Sequence, residues 1–357
     1  MKRYITLIIG SFLIGVCCLL LSKALDQQHT SSKQEKLFVY NWGEYIDPDL
    51  IKQFEKETGI KVIYESFDSN EAMEAKLRNG GTHYDVVFPS DYTVNKLKKD
   101  GLLLPLNHDK LKHLKNIDSN YMNMSFDKGN RYAVPYFFGT VGILYDKDKY
   151  SDMTFNSWND LLKPQLKQDI LLVDSAREIV GIALNMNHDS LNTTDPEKLK
   201  EAQLKLAKLA PNVKGVVGDE LPLMLEQQEA HVAVVWSGVA MPIVTENDTY
   251  QYVVPQEGSN LWFDNMVIPK TSQNVDGAHR FIDFLLREDV SAQNTEWVGY
   301  ATPNREALRH LPQSIRNDKR FYPLKAEQSK LEVYEDLGKY YVNEYNEMFL
   351  NFKMSLD

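Results

Sequence analysis

Cysteine is nearly absent from this chain of 357 residues: there are two, Cys17 and Cys18, and both fall within the first 24 positions. From Leu25 onward no disulfide can form, so an exported body must be held together by its core alone. Nucleotide and metal motifs are missing as well. No Gly-x-x-x-x-Gly-Lys-Ser/Thr loop occurs, and Gly338-Lys339 lacks both the upstream glycine and the hydroxyl residue that would follow. There is no His-Glu-x-x-His; the eight histidines are dispersed, and the closest pair, His108 and His113, has no cysteine nearby. His83 and His231 fall at strand starts and read as ordinary structural histidines. Ser237 resembles a nucleophile in an elbow only superficially, because Val235 stands where glycine is required. Positive charge is also short. Lys2, Arg3 and Lys23 belong to the first 24 residues, which hold no acid, so the body carries 37 basic against 50 acidic residues, a net charge of −13. That sign disfavours nucleic acid as a partner and favours cations.

What is present is an ordinary globular composition, with 43% hydrophobic and 25% charged residues. The length predicts two domains, each with its own core. Residues 1–24 read as a targeting segment: Lys2 and Arg3 precede an uncharged run of 18 residues from Tyr4 to Leu21, and "SKA" follows. Such a run serves either as a signal peptide cleaved after Ala24 or as a retained N-terminal membrane anchor. A lipid-modified cysteine is disfavoured, since Val16 and Cys17 occupy places where a small residue is wanted. Residues 25–36 are polar, without periodicity, and read as a flexible tether. No internal repeat is present.

The body then becomes regular. "KLFVYNW", "IKVIYESF" and "YDVVFPS" read as strands, and two helices lie between them. The first, "DPDLIKQFEKETG", has Asp47 as N-cap, Pro48 at its first position and Gly59 at its end. The second, "DSNEAMEAKLRNGG", suggests a capping box of Asp68 and Glu71. Strand, helix, strand, helix, strand predicts a parallel sheet covered by helices. Further along, "DILLVD", "HVAVVWSG" and "YQYVVP" read as strands, and the segment beginning near "SAREIVGIALNMN" reads as a helix. "DPEKLKEAQLKLAKLA" is an amphipathic helix with the stripe Leu199, Ala202, Leu206 and Leu209; "DGAHRFIDFLLRED" is another, with Ala278, Phe281, Ile282 and Leu285 on one face. No Pro/Gly/Ser linker separates the two regions, which fits a chain that passes between them more than once.

In open α/β sheets ligands sit beyond the carboxyl ends of the strands. There the sequence places Trp42, Gly43 and Tyr45 after the first strand, and Ser90, Asp91 and Tyr92 after the third. In "SNLWFDNMVIP", Trp262 and Asp264 are two residues apart on a strand and so share a face. An indole beside a carboxylate is the minimal recognition unit for an organic ammonium: a charge-assisted hydrogen bond plus a cation–π contact of about 0.5 to 2 kcal/mol. A core tryptophan beside a surface aspartate is the alternative.

The stretches "YNWGEYIDPDLIKQFEKETGIKVIYESFDSNEAMEAKL", "YDVVFPSDY", "VPYFFGTVGI", "DSAREIVGIALN", "VVWSG", "LWFDNMVIP" and "VGYATPN" together resemble the substrate-binding protein of the spermidine/putrescine ABC importer, in order and across nearly the whole body. The resemblance implies an α/β, two-lobed periplasmic-binding-protein fold, each lobe a mainly parallel sheet flanked by helices, with the ligand cleft between them. It implies lobe 1 from residues 37–139 and 263–308, and lobe 2 from 140–262 and 309–357. Its binding residues fall on Trp42, Gly43, Tyr45, Ser90, Tyr92, Glu178, Trp236, Trp262, Asp264, Tyr300 and Tyr334. Three positions depart from the pattern of Gram-negative members. Gly43 stands for a threonine, Tyr334 for a glutamine, and Ser175 for an aspartate, with Asp174 one residue earlier as a substitute if the turn re-aims it.

The resemblance implies a receptor and no enzyme. It binds a polyamine, needs no cofactor or metal, acts as a monomer, and delivers to a separate ABC permease with its own ATPase subunit. Membrane contact is expected through the N-terminal segment if that is uncleaved. The residue types agree with this: aromatic walls suit methylenes, each worth roughly 0.8 kcal/mol when buried, and carboxylates suit amines. Arg177, the one arginine near these positions, is expected in a structural ion pair. Two other readings stay open, a receptor for another organic cation and a surface hydrolase using Glu178 and Asp264.

Overall fold

The computed structural model describes residues 34–218, 220–323 and 328–356. The proposed signal or anchor, and all of the tether but its last three residues, lie outside them. Among the described residues no helix is long and apolar enough to cross a membrane.

The chain opens with β1 (Lys36–Trp42), α1 (Pro48–Thr58), β2 (Lys61–Phe67), α2 (Asn70–Asn79), β3 (Val86–Val87) and α3 (Asp91–Lys99). Strands β2 and β3 flank β1 and both run parallel to it. Helix α1 is fixed by local chemistry at both ends. The Asp47 side chain accepts from the Asp49 amide, Pro48 opens the first turn, and Gly59 closes the helix with φ 75°, a left-handed value that suits glycine. At α2 the cap is Ser69 and not Asp68: its hydroxyl accepts from the Ala72 amide. Ser69 is one residue nearer the first helical turn, so its short side chain reaches the free amides there.

Strand β4 (Ala133–Asp146) is 14 residues long and changes partners half-way. Its first half pairs antiparallel with β9 (Ser259–Val267), from Ala133 opposite Val267 to Thr140 opposite Leu261. Its second half pairs antiparallel with β7 (Val232–Trp236) on one side and β8 (Tyr250–Val253) on the other. Strands β5 (Ile170–Val173) and β6 (Val213–Val217) continue beyond β7 in parallel. The full order is β2-β1-β3-β9-β4-β7-β5-β6. Two parallel flanks are therefore joined by an antiparallel middle, which the linear pattern did not foreshadow. β4 is buried along nearly its whole length, and a continuous apolar run carries no alternation from which to read its neighbours.

Helices α4 (Ala176–Asn185), α5 (Pro196–Leu209), α6 (Leu221–Glu226) and α7 (Ser237–Glu246) belong to the second region; α8 (Val275–Leu285) and α9 (Glu288–Val298) return to the first. The stripes read from α5 and α8 are the buried faces. On α8, Phe281 and Phe284 meet Phe54 of α1 edge-on at 5.0 and 5.4 Å. After the short α10 (Gln313–Arg316), β10 (Leu331–Glu332) lies parallel to the start of β9, and α11 (Gly338–Met354) packs on α4 and α5.

Candidate functional site

The carboxyl ends of β1, β3, β5 and β7 and the middle of β9 converge, and two buried carboxylates mark the place. Asp264 projects from β9 where an isolated bridge joins it to Ser90. Its Oδ2 accepts from the Tyr45 hydroxyl at 2.7 Å and its Oδ1 from the Ser90 hydroxyl at 2.7 Å. Burial pushes its pKa up from 3.8 to about 6, and the bonds from Tyr45 and Ser90 work against that rise. The same burial, with the negative charge of Asp264 alongside, holds the Tyr45 phenol well above its ordinary value.

Glu178, on the first turn of α4, is the second carboxylate. Its Oε1 accepts from the Trp236 indole at 3.2 Å, and its Oε2 accepts from the Tyr334 hydroxyl. Burial raises its pKa; Tyr334, Trp236, Arg177 and Asn260 oppose the shift, in that order. Tyr334 also meets Tyr92 edge-on at 6.5 Å, which links the Glu178 group to the Ser90 loop.

Aromatic rings fill the space between. Trp262 meets Tyr300 edge-on at 5.3 Å, and Tyr300 meets Tyr45 at 5.4 Å. Two glycines permit this packing. A Cβ on Gly139 would lie 2.4 Å from the Trp262 ring, and one on Gly238 would lie 1.7 Å from the Tyr300 ring. Trp42, at the end of β1, packs against Phe67 at 4.5 Å. The indole nitrogens of Trp42 and Trp262 are buried without a hydrogen-bond partner. Gly43 lies beside Trp42 with open space around its Cα.

Asp174 is not brought to this cluster. Both its oxygens accept from Lys353 of α11 at 2.9 Å, on a half-exposed side chain. Ser175 takes the N-cap position of α4 but makes no side-chain cap bond. Arg177 forms no ion pair among those of the described residues; it donates to Asn192 Oδ1 at 2.8 Å and to the Glu335 carbonyl at 3.2 Å. Its guanidinium lies 4.3 Å from the Tyr334 ring centre. The flat cation stacks on an aromatic face in place of an ion pair. Ser237 is buried, and its oxygen accepts from the Thr140 amide at 3.2 Å. His231 pairs with Asp169 at 2.9 Å, at the start of β7. No group of metal-ligating residues occurs among the described residues.

Sequence reasoning missed Asn70. Its Nδ2 donates to Ser90 Oγ at 3.1 Å and to the Tyr92 hydroxyl at 3.0 Å, and its Oδ1 accepts from the Ser90 amide at 3.1 Å. One buried amide thus fixes the loop that holds Asp264. At the start of a helix an asparagine looks like an ordinary capping residue, so nothing local distinguishes it. Asp91 is equally buried and accepts from the amides of Tyr92 and Phe263, at 2.6 and 3.1 Å. It ties α3 to β9 and faces the backbone.

The profile of the bacterial extracellular solute-binding proteins matches residues 49–321. The chain belongs to this family. Among individual relatives, the spermidine/putrescine-binding periplasmic protein of Salmonella typhimurium is 40% identical over 309 residues, 86% of this chain and 89% of that one. A spermidine/putrescine-binding periplasmic protein of Haemophilus influenzae is 37% identical, covering 90% and 91%. Among solved structures, an ABC transporter protein of Listeria monocytogenes superposes with a TM-score of 0.86 at 53% identity, covering 90% of this chain and 99% of that one. The spermidine/putrescine ABC transporter substrate-binding protein PotD of Streptococcus pneumoniae, solved with calcium and HEPES, gives 0.82 at 47%, covering 90% and 100%. The solute-binding protein described here therefore has the periplasmic-binding-protein fold, and its relatives are named for binding and transport.

Proposed function

We propose that this solute-binding protein captures a polyamine, spermidine or putrescine, outside the membrane and delivers it to an ABC permease driven by a separate ATPase subunit. The observation that carries the reading is the pair of buried carboxylates, Asp264 and Glu178, set among the rings of Trp236, Trp262, Tyr300, Tyr45 and Tyr334. A buried carboxylate is tolerated when it is paired. An ammonium supplies the charge, and the rings pack against the methylenes between two ammonium groups. The names of the relatives support the same ligand class.

The lobes are 37–139 with 263–308, and 140–262 with 309–357, and they close on the ligand about the middle of β4 and β9. Strand β4 changes partners there, from β9 to β7 and β8, so a small twist in it swings one flank of the sheet against the other. The protein works as a monomer. Its N-terminal run either anchors it to the membrane or is removed after Ala24; mass spectrometry of the exported protein distinguishes a start at Leu25 from an intact N-terminus.

Thermal unfolding of the full chain in mild detergent, with spermidine, putrescine, spermine, agmatine and an amino-acid control, tests the ligand class. A ligand at one hundred times its dissociation constant stabilises by about 2.7 kcal/mol, a shift of several degrees. A shift with agmatine alone would move the reading to another organic cation. No shift with any amine would remove the ligand and leave the fold.

A further inference from the structure

We infer that Asn260 is a further ligand-binding residue of this site, its amide oxygen accepting a hydrogen bond from the ammonium that Glu178 neutralises. The inference rests on the polyamine reading. Asn260 stands two residues before Trp262 and four before Asp264 on β9, so the three side chains share one face of the strand. It is 2% exposed, and neither its Nδ2 nor its Oδ1 has a hydrogen-bond partner. Buried amides are nearly always bonded. The other nine buried asparagines of the described residues each make at least one side-chain bond, although Asn41 Nδ2 and Asn265 Oδ1 are left without a partner. Asn260 is the buried amide, among the described residues, with both polar atoms unpartnered.

Its surroundings say what it faces. Helix α4 packs against β9, and the Asn260 amide lies beside the Glu178 carboxylate without reaching hydrogen-bond geometry. The backbone of Asn260 pairs with Glu332, which brings Tyr334 to the same place. An ammonium has three donors and no acceptor. Glu178 already receives Trp236 and Tyr334, one on each oxygen. Nearby, Asp174 is held by Lys353 and Ser175 carries no charge. At this end of the site, one carboxylate and one amide dipole therefore face the ammonium together.

Calorimetric titration of the full chain in mild detergent with spermidine and putrescine tests this, beside Asn260→Leu, Asn260→Ser and Asn260→Asp. Leucine keeps the volume and removes the acceptor, so the better-bound polyamine is expected to bind at least tenfold more weakly. The ligand-free unfolding midpoint of that variant should not fall, because an unpartnered amide has been removed. Serine, which fits even if leucine does not, is expected to weaken binding at least fivefold. Aspartate keeps an acceptor and adds charge, and is expected to bind at least as tightly as the parent. Retention of affinity within threefold in the leucine or serine variant, while the parent binds, overturns the role of Asn260 and leaves the polyamine reading standing. So does an aspartate variant weaker than the leucine variant. A parent that binds no polyamine overturns both together.

Discussion

Lowering the pH from 7.5 to 5.0 is expected to weaken polyamine binding by about tenfold, and Asp264 is the reason. Burial raises this carboxyl to about 6 in the folded protein without ligand, against 3.8 ordinarily. Pairing with an ammonium requires the ionised form, so binding at low pH must first remove a proton. At pH 7.5 nearly every molecule is already ionised. At pH 5.0 about one in eleven is, which costs about 1.4 kcal/mol of binding free energy. Aliphatic amines titrate near 10, like lysine, so the ligand keeps its charge across the range and the slope belongs to the protein.

The stability of the ligand-free protein runs the other way. A carboxyl raised on folding contributes stability that is fully present below about 4 and is lost as the pH rises through about 6. The thermal shift produced by ligand should therefore grow between pH 5.0 and 7.5. Titration calorimetry at constant ionic strength checks the affinities, since salt screens exposed charges. Asp264→Asn should bind weakly throughout and lose most of the slope. Glu178→Gln should keep it, although burial raises Glu178 as well. A parent affinity constant within twofold across this range, or an Asp264→Asn protein that keeps the full slope, would refute the reasoning.

Asp174→Ala should leave polyamine affinity within twofold of the parent by calorimetry, because its carboxylate is held on the surface by Lys353. Gly238→Ala should lose about 1 to 3 kcal/mol in urea unfolding and weaken binding, because its methyl group would overlap the Tyr300 ring. Asn70→Ala should lose about 1 to 3 kcal/mol by the same measurement, since the Ser90 amide is left without its acceptor. It should also weaken binding by freeing the Ser90 loop; unchanged affinity would mean that the loop holds Asp264 without it.

How much could be read in advance followed the range of the interactions involved. Helix α1 was legible because its cap, its proline and its terminal glycine act within a few residues. The cap of α2 was misplaced by one position, since Asp68 and Ser69 are both good caps and only the path of the chain chooses between them. Trp262 and Asp264 could be placed on one face from strand periodicity alone. The Tyr45 bond to Asp264 spans 219 residues, and nothing near either partner announces it.

By itself, the sequence determined both ends of α1, the amphipathic faces of α5 and α8, the absence of disulfide, nucleotide and metal motifs, and the common face of Trp262 and Asp264. Those are consequences of local backbone geometry and of residue chemistry. Only the tertiary structure decided that β4 and β9 run antiparallel through the middle of the sheet, that Asp174 turns to Lys353 while Glu178 turns inward, and that Asn70 holds Ser90 and Tyr92. Each of these depends on which distant segment arrives beside a residue. That choice is made by the burial of the whole apolar surface at once and leaves no mark in any short window of the chain.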